Sequence, residues 1–198
     1  MKTIAFLLLT AFSVNTHLSA TETKNEWIEE YIITVPDFPK TGIQFKCYPD
    51  LLKNPKAFHR ATKTFAERYK NFDLDAIVGL DSRGFIFGAA LAYEMNLPFV
   101  MIRKAGKLPR KSERIDYALE YGKASFEIEV DSLNPGDRVL IVDDLLATGG
   151  TANAAAALVE RLGAEVVEVA CLIELEGLHG RKNLKYPFYS LISIEVDE

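Results

Sequence analysis

One stretch constrains this chain more than any other. Val139-Leu140-Ile141-Val142-Asp143-Asp144-Leu145-Leu146-Ala147-Thr148-Gly149-Gly150-Thr151 leads into an alanine-rich run that ends at Leu158. Branched apolar residues from Val139 to Val142, bounded by Gly136 and the aspartates, predict a strand buried on both faces, as in parallel sheets. Asp143 and Asp144 stand at that strand's carboxyl end. The segment Ala147-Thr148-Gly149-Gly150-Thr151 then carries two glycines that free the backbone to curl its N–H groups around an anion, and two hydroxyls that add donors. A helix starting there brings the positive end of its dipole, so phosphate fits the cup. The two carboxylates repel phosphate and must hold something else, either sugar hydroxyls or a metal ion. Ribose beside phosphate is a phosphoribosyl group. The stretch is neither a Walker loop, which needs Gly-Lys-Ser/Thr, nor a Gly-x-Gly-x-x-Gly dinucleotide fingerprint.

A second strand, loop and helix repeats the plan. Ala76–Leu80 predicts a buried strand, Asp81-Ser82-Arg83-Gly84 a loop, and Phe85–Met95 a helix. Arg83, beside a glycine and a helix start, is placed to grip a second anionic group. A third strand, Pro98–Ile102, delivers the cation-rich run from Arg103 through Lys104 and Lys107 to Lys111. In a chain whose net charge is -5, that run is a local positive patch suited to polyphosphate. The overall charge gives no footprint for a nucleic-acid backbone, so any nucleotide chemistry concerns small molecules.

Elsewhere the pattern is scaffold. A length of 198 residues, 48% of them hydrophobic, supplies one domain with a full core. Asn25–Tyr31 predicts a short amphipathic helix, and Asn54-Pro55 opens a longer one with Phe58, Ala61, Phe65 and Tyr69 on its buried face. Between them, residues 35–46 hold two prolines and a glycine and predict an ordered loop. Its aromatics, Phe38 and Phe45, either stack on a purine or seal the core below. Pro109–Tyr117, polar and without period, predicts a mobile flap, followed by an antiparallel pair through Leu119, Tyr121, Phe126, Ile128 and Val130. Gly163 ends the helix after the main motif, Val166–Ile173 is a further strand, and Phe188–Val196 predicts a last strand at a sheet edge. Cys47 and Cys171 offer no metal-ligand spacing and, with three scattered histidines, suggest no zinc site.

The string Val142–Thr151 resembles the phosphoribosyl pyrophosphate motif of the type I phosphoribosyltransferase family, on its adenine-accepting branch, and the resemblance covers almost all of the chain after residue 24. It implies an α/β fold with a mostly parallel sheet flanked by helices, a small hood built from the N-terminal loop and the C-terminal strand, and a mobile flap. It also implies a reaction: adenine and phosphoribosyl pyrophosphate give AMP and pyrophosphate, with inversion at the anomeric carbon. The substrate site expected from it comprises Asp143, Asp144, Ala147, Thr148, Gly149, Gly150 and Thr151, with Ser82 and Arg83 on the leaving pyrophosphate. Arg103 and Lys107 join them, the arginine from the neighbouring subunit of a homodimer. Gln44, Phe45, Lys46 and Leu175 are the expected base-binding residues. In Leu119-Glu120-Tyr121-Gly122, which resembles the family's Glu-Tyr-Gly segment, Glu120 is the expected proton handler. Arg83, Asp143 and Asp144 complete the expected catalytic set, with Mg2+ carried by the diphosphate and ribose rather than by a protein metal site. Departures at Thr41, Lys46 and Cys47 leave transfer to another purine base as the alternative. A non-catalytic sensor of phosphoribosyl pyrophosphate is the more distant alternative.

Residues 1–24 stand apart from the expected domain at 25–198. Lys2, the apolar run Ile4–Phe12 and the ending Leu18-Ser19-Ala20 have the layout of a secretory signal, although the run is too short to span a bilayer. The substrates implied by the resemblance are cytosolic, so a cytoplasmic protein is expected, with export as the alternative if the leader functions. No nucleic-acid or membrane partner is expected.

Overall fold

The computed structural model describes residues 25–119 and 122–196. The leader at 1–24, and Glu120 with Tyr121, lie outside the described residues. At the centre run β3 (Ala76–Leu80), buried along its whole length, and β7 (Arg138–Leu146), buried from Val139 to Val142. Alternate residues serve opposite faces, as the two-residue period of a strand dictates. Val78, Leu80, Val139 and Ile141 enter one core, while Ile77, Leu140 and Val142 enter the other.

Around these two strands stand β4 (Phe99–Lys104), β5 (Ser112–Leu119), β6 (Gly122–Glu129), β8 (Glu165–Leu175) and β9 (Phe188–Ile194). They form one seven-stranded sheet in the order β5-β6-β4-β3-β7-β8-β9. The five strands from β4 to β9 are parallel, and β5 and β6 form an antiparallel pair joined to β4. Helices α2 (Pro55–Tyr69) and α3 (Gly84–Met95) cover one face; α4 (Gly150–Arg161) covers the other with Ala152, Ala155, Ala156 and Leu158. α2 starts where the sequence directs it, since the Asn54 side chain accepts from the backbone N–H groups of Lys56 and Ala57, both at 3.1 Å, and Pro55 needs no donor partner there. Among the described residues no helix is long and apolar enough to cross a membrane.

Three local expectations are corrected. Residues 35–46 are not simply a loop, because β1 (Ile33–Pro36) and β2 (Gln44–Cys47) pair as an antiparallel hairpin. Pro36 ends β1 and Pro39 lies in the turn, and Asp37 Oδ1 closes that turn by accepting from Gly42 N at 2.7 Å. The segment expected to be an aperiodic flap is largely strand, since β5 begins at Ser112. Ile115 and Tyr117 pack on the core beneath α4, but only Asp116 stands between them and the polar Ser112-Glu113-Arg114 precedes them, so the alternation is too short to read in the sequence. Finally, the C-terminal strand does not join the hood. It is β9, at the edge of the main sheet as expected, and parallel to β8.

Candidate functional site

The parallel strands place their carboxyl ends, and the turns that follow, along one crevice. Asp143 and Asp144 lie within β7 itself, two residues before it ends. Asp144 is buried, and its Oδ2 accepts from the Tyr48 hydroxyl at 2.9 Å and pairs with Arg83 Nε at 2.9 Å. Asp143 Oδ1 accepts from the Asp144 backbone N–H at 2.8 Å. Removal from water, and then the charge of Asp144, push the Asp143 carboxyl well above the ordinary carboxylate range; Arg83 and the Asp144 N–H oppose this without overcoming it. Burial, followed by the Asp144 charge, also raises the Tyr48 phenol, which therefore stays a donor at any physiological pH.

Beyond β7 the chain turns through Ala147 and Thr148 to Gly149, whose φ of 86° belongs to the left-handed region that favours glycine. A side chain there would also meet the Gly180 carbonyl at 2.9 Å. α4 starts at Gly150, aiming its free N–H groups into the turn. This loop has a buttress. In α5 (Gly180–Asn183), Gly180 passes so close that a Cβ would sit 2.2 Å from the Ala147 carbonyl, and Asn183 Nδ2 donates to the Thr148 carbonyl at 3.0 Å. Arg181 Nε fixes α5 by donating to the buried Glu174 at 2.9 Å. On the other side, the Tyr117 side chain of β5 lies beside Thr151 in the first turn of α4, which brings the flap strand to the mouth of the loop.

The turn after β3 is built differently. Gly84, the first residue of α3, lets that helix approach until an added Cβ would lie 2.7 Å from the Val142 carbonyl and 2.9 Å from Asp143 Oδ1. The preceding residue, Arg83, can thereby extend along the crevice to Asp144. Its guanidinium also lies 5.4 Å from the centre of the Phe45 ring in the hairpin. Asp81 is occupied by Arg103, whose Nε donates to its Oδ2 at 3.1 Å.

Ser82, Arg83, Asp143, Asp144, Ala147, Thr148, Gly149 and Thr151 thus line a single cavity of about 290 Å³. Gly150, the first residue of α4, is not part of its wall. Arg103 is turned to Asp81, and Lys107 lies in the turn after β4, outside the cavity wall. In the hairpin, Phe45 packs edge-on against Phe38 at 5.1 Å, Gln44 is exposed, and Lys46 Nζ donates to Thr34 Oγ1 at 2.8 Å. Leu175 ends β8 and packs against the core under α2 and α3. Sequence reasoning passed over Lys104, which lines the cavity and stood in plain view in the cation-rich run. It also passed over Tyr48, Gly180 and Asn183, whose contacts cross 96, 33 and 35 residues of chain respectively and leave no local signal. Among the described residues no three carboxylate, histidine or cysteine side chains gather into a metal cage. The oxygen donors at the crevice are instead the paired aspartates.

Comparison with known proteins accords with this geometry. The phosphoribosyl transferase domain family matches residues 48–198. An adenine phosphoribosyltransferase of Methylibium petroleiphilum is 48% identical over 187 residues, covering 92% of this chain and 95% of that protein. Among solved structures, the adenine phosphoribosyltransferase of Thermoanaerobacter pseudethanolicus superposes with a TM-score of 0.83 at 47% identity, over 86% of this chain and 99% of that one. The Saccharomyces cerevisiae enzyme, crystallised with an imino-altritol bisphosphate and adenine, gives 0.81 at 39% identity, over 85% and 98%.

Proposed function

The chain belongs to the phosphoribosyltransferase family, among the adenine phosphoribosyltransferases of purine salvage, and from that premise we propose how its own residues carry out the transfer of a phosphoribosyl group to adenine. The observation that carries the reading is the convergence of a backbone anion cup, two aspartates and an arginine on one cavity of about 290 Å³. In this reading the 5-phosphate sits on the N–H groups and hydroxyls of Thr148–Thr151, and the ribose hydroxyls face Asp143 and Asp144. The diphosphate extends toward Ser82, Arg83 and Lys104. Gln44, Phe45 and Lys46 of the hairpin, with Leu175, hold the base, Phe45 stacking on its ring.

Transfer breaks the bond from the anomeric carbon to the diphosphate oxygen, the electron pair leaving with pyrophosphate, while a purine ring nitrogen forms the new bond from the opposite face. Positive charge develops on the sugar, and the carboxylates beneath it stabilise that charge without reorganisation. Arg83 balances the negative charge gathering on the leaving group. The attacking nitrogen gives up its proton to Glu120, directly or through water, as the flap excludes bulk solvent. Mg2+ enters with the diphosphate as part of the substrate and offsets its charge.

Three further parts follow from the same reading. The catalytic domain occupies residues 25–198, and the activity resides in the cytosol, where both substrates are made. The active form is a homodimer in which Arg103 reaches the diphosphate of the neighbouring site, where Lys107 also approaches the diphosphate. Supporting the dimer, α3 and β4 leave Ile86, Tyr93 and Met101 exposed, Tyr93 to 89%. The test is direct. Protein, Mg2+ and phosphoribosyl pyrophosphate are incubated with adenine, hypoxanthine, guanine and xanthine in turn, and pyrophosphate release is measured. Adenine-dependent release with AMP as product is expected. Release only with another base reassigns the substrate, and binding of phosphoribosyl pyrophosphate without turnover indicates a sensor.

A further inference from the structure

In the proposed function the hairpin serves the base and the crevice serves the sugar. Here a single side chain bridges them. Tyr48 follows directly on β2 and precedes α1 (Pro49–Lys53), so it belongs to the hairpin's exit. Its ring is held against Phe87 of α3, centroids 5.5 Å apart, and only 4% of the residue is exposed. From that fixed position the hydroxyl crosses to β7 and donates to Asp144 Oδ2 at 2.9 Å.

The same oxygen receives Arg83 Nε at 2.9 Å, and the Arg83 guanidinium lies 5.4 Å from the Phe45 ring and 6.0 Å from the Tyr48 ring. A closed circuit results: from the hairpin through Phe45 to Arg83, on to Asp144, and back through Tyr48 to the hairpin. Arg83 is a weak anchor within it, because its side chain is 42% exposed and a diphosphate would compete for the guanidinium. Once Arg83 turns to that ligand, Tyr48 is the remaining donor to Oδ2 among the described residues. A buried phenol on a packed ring keeps its geometry where a long arginine does not.

We propose that Tyr48 is a positioning residue for the sugar site: it holds the Asp144 carboxylate in the orientation that receives the ribose hydroxyls, and does so from the base-binding hairpin. The proposal rests on the function assigned above, and it deepens that function by making the sugar site depend on a residue of the hood. Loss of the hydroxyl frees the Asp144 side chain to rotate and leaves its buried oxygen short of a donor, which weakens the ligand that needs the carboxylate in place.

Binding of phosphoribosyl pyrophosphate with Mg2+ is measured by titration calorimetry on the full chain. Tyr48→Phe is expected to weaken it about tenfold, equivalent to about 1.4 kcal/mol, while the KM for adenine stays within about twofold of the parent. In an Asp144→Asn background, Tyr48→Phe should have no further effect on binding, since both substitutions break the same link. Phe87→Leu loosens the ring's packing and keeps the hydroxyl; binding within about threefold of the parent is expected there. Equal binding by Tyr48→Phe and the parent overturns the proposal, as does full additivity with Asp144→Asn. A loss with Phe87→Leu as large as that with Tyr48→Phe also overturns it, and assigns Tyr48 to packing alone. A parent protein that does not bind phosphoribosyl pyrophosphate overturns the assigned function together with the proposal, an outcome distinct from the three others.

Discussion

The turns after β3 and β7 share one plan and use it in opposite ways. Both leave a parallel strand, pass a glycine and enter a helix of 12 residues. After β3 the glycine serves packing: Gly84 lets α3 close onto the Val142 carbonyl, and the neighbouring Arg83 sends a cation along the crevice. After β7 the glycine serves conformation, because Gly149 adopts a φ of 86°, and the loop residues are small enough to leave the backbone N–H groups exposed to a ligand. One turn offers a mobile charged side chain, while the other offers fixed dipoles buttressed by α5. A mobile cation suits a group that departs, and fixed dipoles suit a group that stays bound through the reaction. The pyrophosphate and the 5-phosphate are such a pair.

That division is most exposed at Arg83. Arg83→Ala should lower kcat by about a hundred- to a thousandfold, the usual range for deleting a donor to developing negative charge. Arg83→Lys should recover little, since a point charge does not reproduce the planar fork. Single-turnover rates check this; a change confined to KM would mean that the residue binds without stabilising the leaving group.

Gly149→Val attacks the other turn. Its strained φ alone costs about 1–2 kcal/mol, and contact with the Gly180 carbonyl adds to that, so the KM for phosphoribosyl pyrophosphate should rise at least tenfold with that for adenine nearly unchanged. Initial-rate kinetics with each substrate varied in turn decide the point. Equal changes in both constants would show general unfolding of the site and erase the contrast between the turns.

How much of this contrast was legible beforehand differs between the turns for a physical reason. The β7 turn is written in consecutive residues, strand then acids then glycines then helix, so its architecture follows from local pattern. Arg83 was likewise readable as a cation at a strand end. Its engagement with Asp144 was not, because ion pairing across 61 residues depends on how strands are ordered in the sheet. The hairpin at 33–47 was obscured by its prolines, and β5 by the polar start Ser112-Glu113-Arg114, which leaves Ile115 and Tyr117 as too short an alternation. Tyr48, Gly180 and Asn183 act through contacts that only the assembled fold creates.

Asn183 sharpens the comparison with a smaller effect. Of the two turns, the β7 turn is the one that, among the described residues, has a side chain from α5 donating to one of its carbonyls, at 3.0 Å from Thr148. Asn183→Ala removes one neutral hydrogen bond, worth about 0.5–1.5 kcal/mol, and should raise the KM for phosphoribosyl pyrophosphate roughly threefold to tenfold. The same substitution should leave kcat near the parent value. A fall in kcat without a change in KM would assign Asn183 to the reacting centre and not to the loop's support.

The smallest expected effect concerns stability rather than rate, and it tests whether the crevice is strained by the charges it gathers. Asp143 is held well above the usual carboxylate range, first by burial and then by Asp144. In the unfolded chain its carboxyl ionises near pH 3.9. Between that pH and its higher folded value, the folded protein holds a proton that the unfolded chain has released, so rising pH favours unfolding through this group. Asp143→Asn removes the penalty and keeps an oxygen able to accept from the Asp144 backbone N–H. A gain of about 1 kcal/mol at neutral pH, or roughly 2–4 °C in Tm for a chain of this size, is expected. That gain should shrink as the pH falls toward the unfolded value, where parent and variant both carry a neutral side chain. Thermal unfolding of the two proteins from pH 4 to pH 8 measures it. A variant less stable than the parent at pH 8, or a difference that does not change with pH, would show that the ionised carboxylate is well accommodated and that the crevice stores no such strain.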